Sequence, residues 1–144
     1  MKYKTPWTKK EAIERKWYIV DVKDQILGKA ATKIASLLIG KAKVEAVPNE
    51  DCGDYVVVIN SDEIKLTRDK EIKKMYYRHS GYPGGLKAVR FDEQLKMDST
   101  KIIRDAVSKM LPQNKHVDPR LARLFVYKGA EHKQNGQKPV EIKF

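Results

Sequence analysis

The chain has 144 residues, 41% of them hydrophobic, and a formal net charge of +11. This length suits one domain with a buried core, and the hydrophobic content argues against a disordered protein. Residues 1–63 carry 11 basic and 10 acidic side chains, whereas residues 64–144 carry 19 and 9, so the excess charge lies in the second half. A positive charge excess concentrated in one half of the chain favours a polyanionic partner. Nucleic acid ranks above a membrane because no stretch is apolar enough for a bilayer.

The N-terminal residues and the cysteine content indicate the cellular setting. The chain has one cysteine, Cys52, which excludes an internal disulfide and fits a reducing compartment. Residues 1–16 lack the apolar core of a signal peptide. We expect residues 1–15 to form a basic extension that is helical after Thr8, where Glu11 completes a capping pair.

The first half of the chain reads as a strand, a helix and a second strand. W-Y-I-V-D-V at 17–22 is short, aromatic and β-branched, as buried strands are. From Ile26 onward, apolar residues recur at helical spacing, and Gly40 suits the end of that helix. G-D-Y-V-V-V-I-N at 53–60 predicts a central strand buried on both faces. This order indicates an α/β fold.

Two short segments near these elements carry weaker signals. Asp51 and Asp54 could form a metal site or an acid–base pair. No further ligand is spaced to complete either, so turn and cap chemistry is favoured for both carboxylates. The alternating pattern of residues 64–67 predicts an edge strand.

A helix is the clearest feature of the second half. A turn of helix is expected at 92–97, followed by Asp98 or Ser99 as the cap of a longer helix. That helix runs to Leu111, and Pro112 follows its end.

A short helix and a last strand follow. Asp118 before Pro119 predicts a helix start, and residues 124–127 predict a buried strand. The polar tail after Gly129 is expected to lie on the surface.

The stretch K-M-Y-Y-R-H-S-G-Y-P-G-G-L-K at 74–87 combines cations, tyrosines and glycines. Phosphates require cations and unpaired bases require stacking surfaces, so this composition is typical of contact with irregular RNA. The glycines and proline of 81–85 predict a segment that is neither helix nor regular strand. The alternative is the tip of a β-hairpin with solvent-facing tyrosines.

Signatures of catalysis are absent from the sequence. There is no phosphate-binding loop motif, no dinucleotide motif and no nucleophile elbow. The three histidines are far apart in sequence, and one cysteine cannot build a zinc cluster. His79 beside Gly84-Gly85 permits one enzymatic alternative, in which the glycines cradle a phosphate and the imidazole acts as an acid. A histidine that contacts phosphate or stacks on a base is favoured.

Four segments together closely resemble the L13 family of bacterial large-ribosomal-subunit proteins. They are W-Y-I-V-D at 17–21, L-G-K-A-A-T-K-I-A-S-L-L at 27–38, G-D-Y-V-V-V-I-N at 53–60 and the stretch at 74–87. M-L-P at 110–112 and V-Y-K-G-A-E-H at 126–132 extend the likeness. The resemblance implies a three-layer α/β/α domain over residues 16–144, built around a small, largely parallel four-stranded sheet.

The resemblance also implies a function. It implies a structural constituent of the large subunit that binds 23S-type rRNA and supports early assembly, in the cytoplasm, without catalysis, cofactor, metal or small-molecule substrate. The implied partners are large-subunit rRNA and neighbouring large-subunit proteins, with no membrane. The RNA-facing residues that the matching motifs imply are Lys41, Lys43, Lys74, Tyr76, Tyr77, Arg78, His79, Gly81, Tyr82, Pro83, Gly84, Gly85 and Lys87.

The sequence departs from the family pattern after Pro112. Q-N-K-H-V-D at 113–118 replaces the typical K-G-x-L-G-R, and V-P-N at 47–49 stands where T-P-H is typical. We expect Arg120 and Arg123, one helical turn apart, to take over the RNA contact of the altered loop. Two alternatives to the ribosomal function are a free regulatory RNA-binding module and a nucleotide-using α/β enzyme.

Overall fold

A computed structural model describes residues 8–142. No helix in this part of the chain is long and apolar enough to cross a membrane. The elements in chain order are β1 (Trp17–Asp21), α1 (Leu27–Ile39), β2 (Tyr55–Ile59), α2 (Lys70–Lys73), β3 (Met75–His79), β4 (Leu86–Arg90), α3 (Phe91–Met110), α4 (Val117–Ala122), β5 (Leu124–Val126) and β6 (Val140–Ile142).

Four parallel strands form the main sheet in the order β5-β2-β1-β6. The run Val56–Val58 is fully buried in the centre of β2, because the sheet neighbours and both faces cover it. This confirms the predicted α/β class, the central strand and the strands at 17–22 and 124–127.

The long helices α1 and α3 share one core with one face of this sheet. Their buried side chains pack with Val20, Val56 and Val58 of the strands and with Val22 just after β1; the helical members are Leu27, Ala30, Ala31, Ile34, Ala35, Leu38, Phe91, Ile102, Ile103 and Val107. The predicted stripe of α1 is therefore confirmed. α1 ends at Gly40 with φ of 79°, and a Cβ there would lie 2.6 Å from the Cys52 carbonyl oxygen, so glycine suits this position on two counts.

α3 bends at Asp98, whose φ and ψ of −158° and 97° are not helical. The Asp98 carboxylate accepts hydrogen bonds from the backbone N–H and the hydroxyl of Thr100. Asp98 thus caps the second half of the helix, as the sequence predicts.

The opposite face of the sheet carries an aromatic cluster. Trp17 stacks on Tyr55 at 4.3 Å between ring centroids, and on Phe125 at 5.6 Å. β5 and β6 are parallel and lie at opposite edges, so the connection 127–139 has to cross the sheet. The right-handed crossover rule places it on the face opposite α1 and α3. This connection contains a 3-10 turn at Asn135–Gln137.

Several local predictions were wrong. Residues 64–67 form no strand, because Lys65 makes only a single bridge to Ile26. The polar tail at 130–139 contains no buried residue, as predicted, but the strand β6 that follows it and pairs with β1 was not predicted. α4 begins at Val117 and has no side-chain cap, so Asp118 lies inside its first turn.

The N-terminal prediction is also corrected in part. Only a 3-10 turn at Lys10–Ala12 forms after Thr8, and the Thr8 hydroxyl donates to the Glu45 carbonyl. Residues 1–7 lie outside the described residues, and the boundary at residue 16 stays a prediction.

Asp51 and Asp54 do more than turn and cap chemistry. The Asp51 carboxylate, 12% exposed, lies 2.6 Å and 2.8 Å from the two terminal nitrogens of Arg123 and 3.3 Å from Nε of Arg120. Arg15 approaches the same carboxylate at 3.7 Å. Burial alone would raise the pKa of Asp51, but the hydrogen bonds and charges of these arginines outweigh it and lower that pKa. The carboxylate therefore joins the connection 44–54 to α4.

We expect Asp51→Asn to lower the free energy of unfolding by about 3 kcal/mol at neutral pH, since it leaves two buried arginines without their counter-charge. The folded pKa of Asp51 lies below the unfolded value near 3.9, so its contribution is present above about pH 4 and is lost as pH falls through the folded pKa. The difference between wild type and variant should therefore shrink on acidification. Urea unfolding at several pH values measures this.

Glu63→Gln, in the exposed pair with Lys23, is the control and should change little. Equal effects of both variants would contradict the prediction.

Candidate nucleic-acid interface

The strands β3 and β4 form a separate antiparallel hairpin that carries most of the predicted RNA-facing residues. The register pairs Tyr76 with Val89, Tyr77 with Ala88 and Arg78 with Lys87. A two-stranded ribbon alone is marginally stable in water, so its attachment matters. Its base is closed by a 3.0 Å hydrogen bond from the Phe91 N–H to the Lys74 carbonyl, and the Phe91 ring is buried.

The hairpin tip is an ordered turn in the region where the sequence predicts neither helix nor strand. The Gly85 N–H donates to the Tyr82 carbonyl at 2.9 Å, with Pro83 and Gly84 between them. Gly84 has φ of 71°, so the turn is type II. A Cβ on Gly85 would lie 2.0 Å from the Ser80 hydroxyl oxygen and 2.8 Å from the Tyr82 carbonyl oxygen. The tip therefore places backbone where side chains would not fit.

His79 has a structural task in this turn. Its Nδ1 accepts a hydrogen bond from the Gly81 N–H at 2.9 Å, and Gly81 adopts φ of 91°. The turn therefore fixes the imidazole, whereas a histidine that acts as an acid is expected to be free to reach its substrate.

A groove of about 620 Å³ separates one face of the hairpin from α3. Side chains alternate along strands, so Tyr76, Arg78, Lys87 and Val89 share this face. The groove has five basic residues and one acidic residue in its lining; these are Lys74, Arg78, Lys87, Lys101, Lys109 and Asp105. This distribution makes the groove attractive to a polyanion.

The floor of the groove is formed by Tyr76 and Lys74. The Lys74 ammonium lies 5.2 Å from the centroid of the Tyr76 ring, and Tyr76 packs against the core. Burial, together with the charges of Lys109 and Lys70, lowers the pKa of Lys74. Burial, and then the charge of Asp105, raises the pKa of Tyr76 to about 12. The tyrosine is therefore neutral, and the lysine gains from any anion that enters.

The other face of the hairpin and its tip expose apolar and aromatic side chains. Tyr77 is 67% exposed, Tyr82 at the tip 76% and Leu86 60%. Exposed tyrosines beside a cationic groove can stack on unpaired bases. A hairpin tip with solvent-facing tyrosines was the sequence-based alternative to RNA contact. The structure has this hairpin, and the same exposed tyrosines are arranged as expected for RNA contact.

Some predicted site residues lie elsewhere. Lys41 is exposed after α1, and neither it nor Lys43 lines the groove. Lys43 lies 2.6 Å from the buried Asp54 carboxylate and also donates to the Glu14 carbonyl, so its charge is neutralised internally. Arg120 and Arg123 are 3% and 7% exposed and bind Asp51. Because burial removes these two arginines from the surface, we exclude them from the interface.

The sequence reasoning missed the contribution of α3. Lys101, Asp105 and Lys109 follow one another at intervals of four residues, which places them on one helix face. That spacing was visible in the sequence, but only the fold shows that this face meets the hairpin.

The chemistry available at this surface is binding. Within residues 8–142, no group of three or more His, Cys, Asp or Glu side chains could hold a metal ion. The groove supplies cations, a phenol and one carboxylate, which suits recognition of phosphates and bases.

We expect Gly85→Ala to loosen the tip without unfolding the domain, because its Cβ would meet the Tyr82 carbonyl at 2.8 Å and residues 81–84 of the tip are exposed. Hydrogen exchange should show faster exchange of the Ser80 and Gly85 amides, while the midpoint of thermal unfolding changes little. Gly136→Ala is the control, since nothing lies within 4 Å of its Cβ position. Unchanged protection of both amides in Gly85→Ala would refute this role of the glycine.

Comparison with known proteins gives the family. Residues 15–133 match the family model described as Ribosomal protein L13. Proteins named large ribosomal subunit protein uL13 are 44% identical in Hahella chejuensis, 45% in Thermosipho africanus and 46% in Malacoplasma penetrans. These alignments cover 97%, 98% and 97% of this chain and 99%, 95% and 97% of the relatives. This is a family of ribosomal structural proteins and not of enzymes, which removes the nucleotide-using alternative. The chain belongs to the ribosomal protein L13 family.

Proposed function

We propose that this protein is a structural constituent of the large ribosomal subunit and that it binds large-subunit rRNA through the groove between the hairpin and α3. Its place would be the ribosome in the cytoplasm, with neighbouring large-subunit proteins beside it. Family membership supports the ribosomal part of this proposal. The charge and shape of the groove support the part that concerns RNA.

The observation that carries the RNA proposal is the pairing of Arg78 directly opposite Lys87 in the hairpin. Like charges at opposed positions destabilise an antiparallel pair, so the free protein gains nothing from this arrangement. A phosphate held between the two side chains would turn the repulsion into attraction. Lys74 at the base of the hairpin and Lys101 and Lys109 on α3 extend the same positive surface.

The exposed aromatic side chains give the second part of the contact. Phosphate contacts orient a protein on RNA, whereas bases supply the stacking partners for Tyr77 and Tyr82. The glycines at 81, 84 and 85 let the backbone of the tip approach RNA closely. Lys41, exposed beyond α1, offers a further phosphate contact outside the groove.

The salt dependence of binding tests the phosphate contacts. If all five groove cations neutralise phosphates, the logarithm of the affinity should fall with the logarithm of salt concentration with a slope of roughly −4. In the variant with Arg78→Gln and Lys87→Gln, the slope should become shallower by about 2 and the affinity should drop. The fold should be as stable as wild type or more so, because a like-charge pair is removed. Filter binding to a transcript of bacterial large-subunit rRNA measures the slope.

A matched control has the same change in net charge. Lys9→Gln with Lys133→Gln removes two exposed lysines that do not line the groove. Its salt slope should stay close to that of wild type. A flat salt dependence, or equal loss in both double variants, would refute the groove as the RNA site.

Sedimentation separates ribosomal structure from free regulation. In a cell lysate, a tagged protein with the first function should migrate with large subunits, and the Arg78→Gln, Lys87→Gln variant should shift toward the top of the gradient. A wild-type protein that stays free at the top would favour the regulatory module. Chemical footprinting on naked large-subunit rRNA then tests the role in early assembly, since an early-binding protein protects RNA without other proteins.

A further inference from the structure

One carboxylate stands in the otherwise cationic groove. Asp105 is half-buried on α3, with Lys101 and Lys109 one turn away on either side. It forms no ion pair and no side-chain hydrogen bond with any residue in 8–142. Asp105 lines the groove together with Lys74 and Tyr76. Its charge partly opposes the lowering of the Lys74 pKa and adds to the effect of burial on the raised pKa of Tyr76.

A second group on the groove floor also lacks a hydrogen-bond partner. The hydroxyl oxygen of Tyr76 is buried and forms no hydrogen bond among the described residues. A buried polar group without a partner costs stability, and such a group in a native structure calls for an explanation. An unpartnered donor and an unpartnered carboxylate thus lie in the same part of the groove.

A carboxylate inside an RNA site has to meet a donor. Beside phosphates alone, Asp105 would only repel, and its presence would weaken the contact. RNA supplies donors on the edges of its bases, and proteins read those edges where bases are unpaired. Guanine alone presents two adjacent donors on its Watson–Crick edge, N1–H and N2–H₂, which match the two oxygens of one carboxylate. Its O6 lies next to them and accepts a hydrogen bond.

We propose that Asp105 and the Tyr76 hydroxyl bind the Watson–Crick edge of one unpaired guanine, while the surrounding cations hold its backbone. Asp105 accepts from N1–H and N2–H₂, and the Tyr76 ring, whose hydroxyl is buried in the free protein, shifts toward the groove to donate to O6. The groove volume of about 620 Å³ accommodates a nucleotide. This inference rests on the proposed RNA function and adds the base that the groove selects.

The competing explanation is that Asp105 only separates the lysines at 101 and 109 along α3. The two explanations predict opposite effects of Asp105→Asn on the affinity for guanine-containing RNA. A spacing carboxylate repels RNA, so Asp105→Asn would strengthen binding to every sequence equally. A carboxylate that reads guanine would weaken binding to guanine-containing RNA when it is replaced, and would leave other sequences unchanged or tighter.

The test uses the full-length protein and short single-stranded oligouridylates with one central position occupied by G, inosine, A, C or U. Fluorescence polarisation at low salt gives each affinity. We expect wild type to bind the G oligonucleotide roughly tenfold more tightly than the U oligonucleotide. Inosine, which lacks the N2 amino group, should fall between them.

The variants assign this preference to the two residues. Asp105→Asn should lose most of the guanine preference, and Tyr76→Phe should reduce it while keeping the aromatic ring in place. Asp118→Asn, an exposed carboxylate on α4 with the same change in charge, is the control and should retain the preference. Thermal unfolding of each variant checks that the domain is intact.

The outcomes distinguish failure of the guanine site from failure of the proposed RNA-binding function on which it rests. Binding that depends on Arg78 and Lys87 but shows no guanine preference would overturn the guanine site and leave the RNA groove standing. The same holds if Asp105→Asn strengthens binding to all five oligonucleotides alike. Absence of groove-dependent binding to both the oligonucleotides and the rRNA transcript would overturn the proposed function itself.

Discussion

The contact between Asp51 and three arginines determines which cations of this basic chain are neutralised inside the fold and which keep their charge at the surface. Arg120 and Arg123 meet one carboxylate from α4 and from the residue that follows it, and Arg15 meets it from the N-terminal side. Desolvated arginines need such a partner, because an unpaired buried charge is far more costly than an exposed one. Asp54 does the same for Lys43. Acids of the first half thus neutralise cations that the fold carries inside, and the cations of the hairpin and α3 keep their charge at the surface.

The hairpin and α3 together show why a surface can be tuned for a partner at some cost to the free protein. Arg78 opposes Lys87, Lys74 is desolvated near two other lysines, and the Tyr76 hydroxyl has no hydrogen-bond partner among residues 8–142. Each of these features is unfavourable in isolation. All three lie on one groove, and of these residues Tyr76 packs against the core. Local conflicts of this kind are expected at functional sites, where a ligand supplies the missing interaction.

The sequence was sufficient for features that depend on neighbouring residues. The stripe of α1, the buried run of β2 and the Asp98 cap of α3 follow from periodicity and cap chemistry, which act over a few positions. Features that depend on distant partners were not predictable in this way. β6 is a strand only because β1 offers it an edge, and Lys65 remains a single bridge because no longer partner strand lies beside it. Arg120 and Arg123 looked exposed because helical spacing does not reveal a carboxylate 69 and 72 positions earlier in the chain.

The candidate site also has one part that was predictable from neighbouring residues and one part that depends on distant residues. The motif at 74–87 identified one wall of the groove, because cations, tyrosines and glycines cluster there in sequence. The second wall comes from α3, where Lys101, Asp105 and Lys109 have the pattern of any solvated helix face. Only the antiparallel hairpin, anchored by Phe91 at the start of α3, turns its Tyr76 face toward that helix. A motif can therefore indicate the class of ligand, whereas selection among bases requires the opposing wall, and that wall is set by tertiary structure.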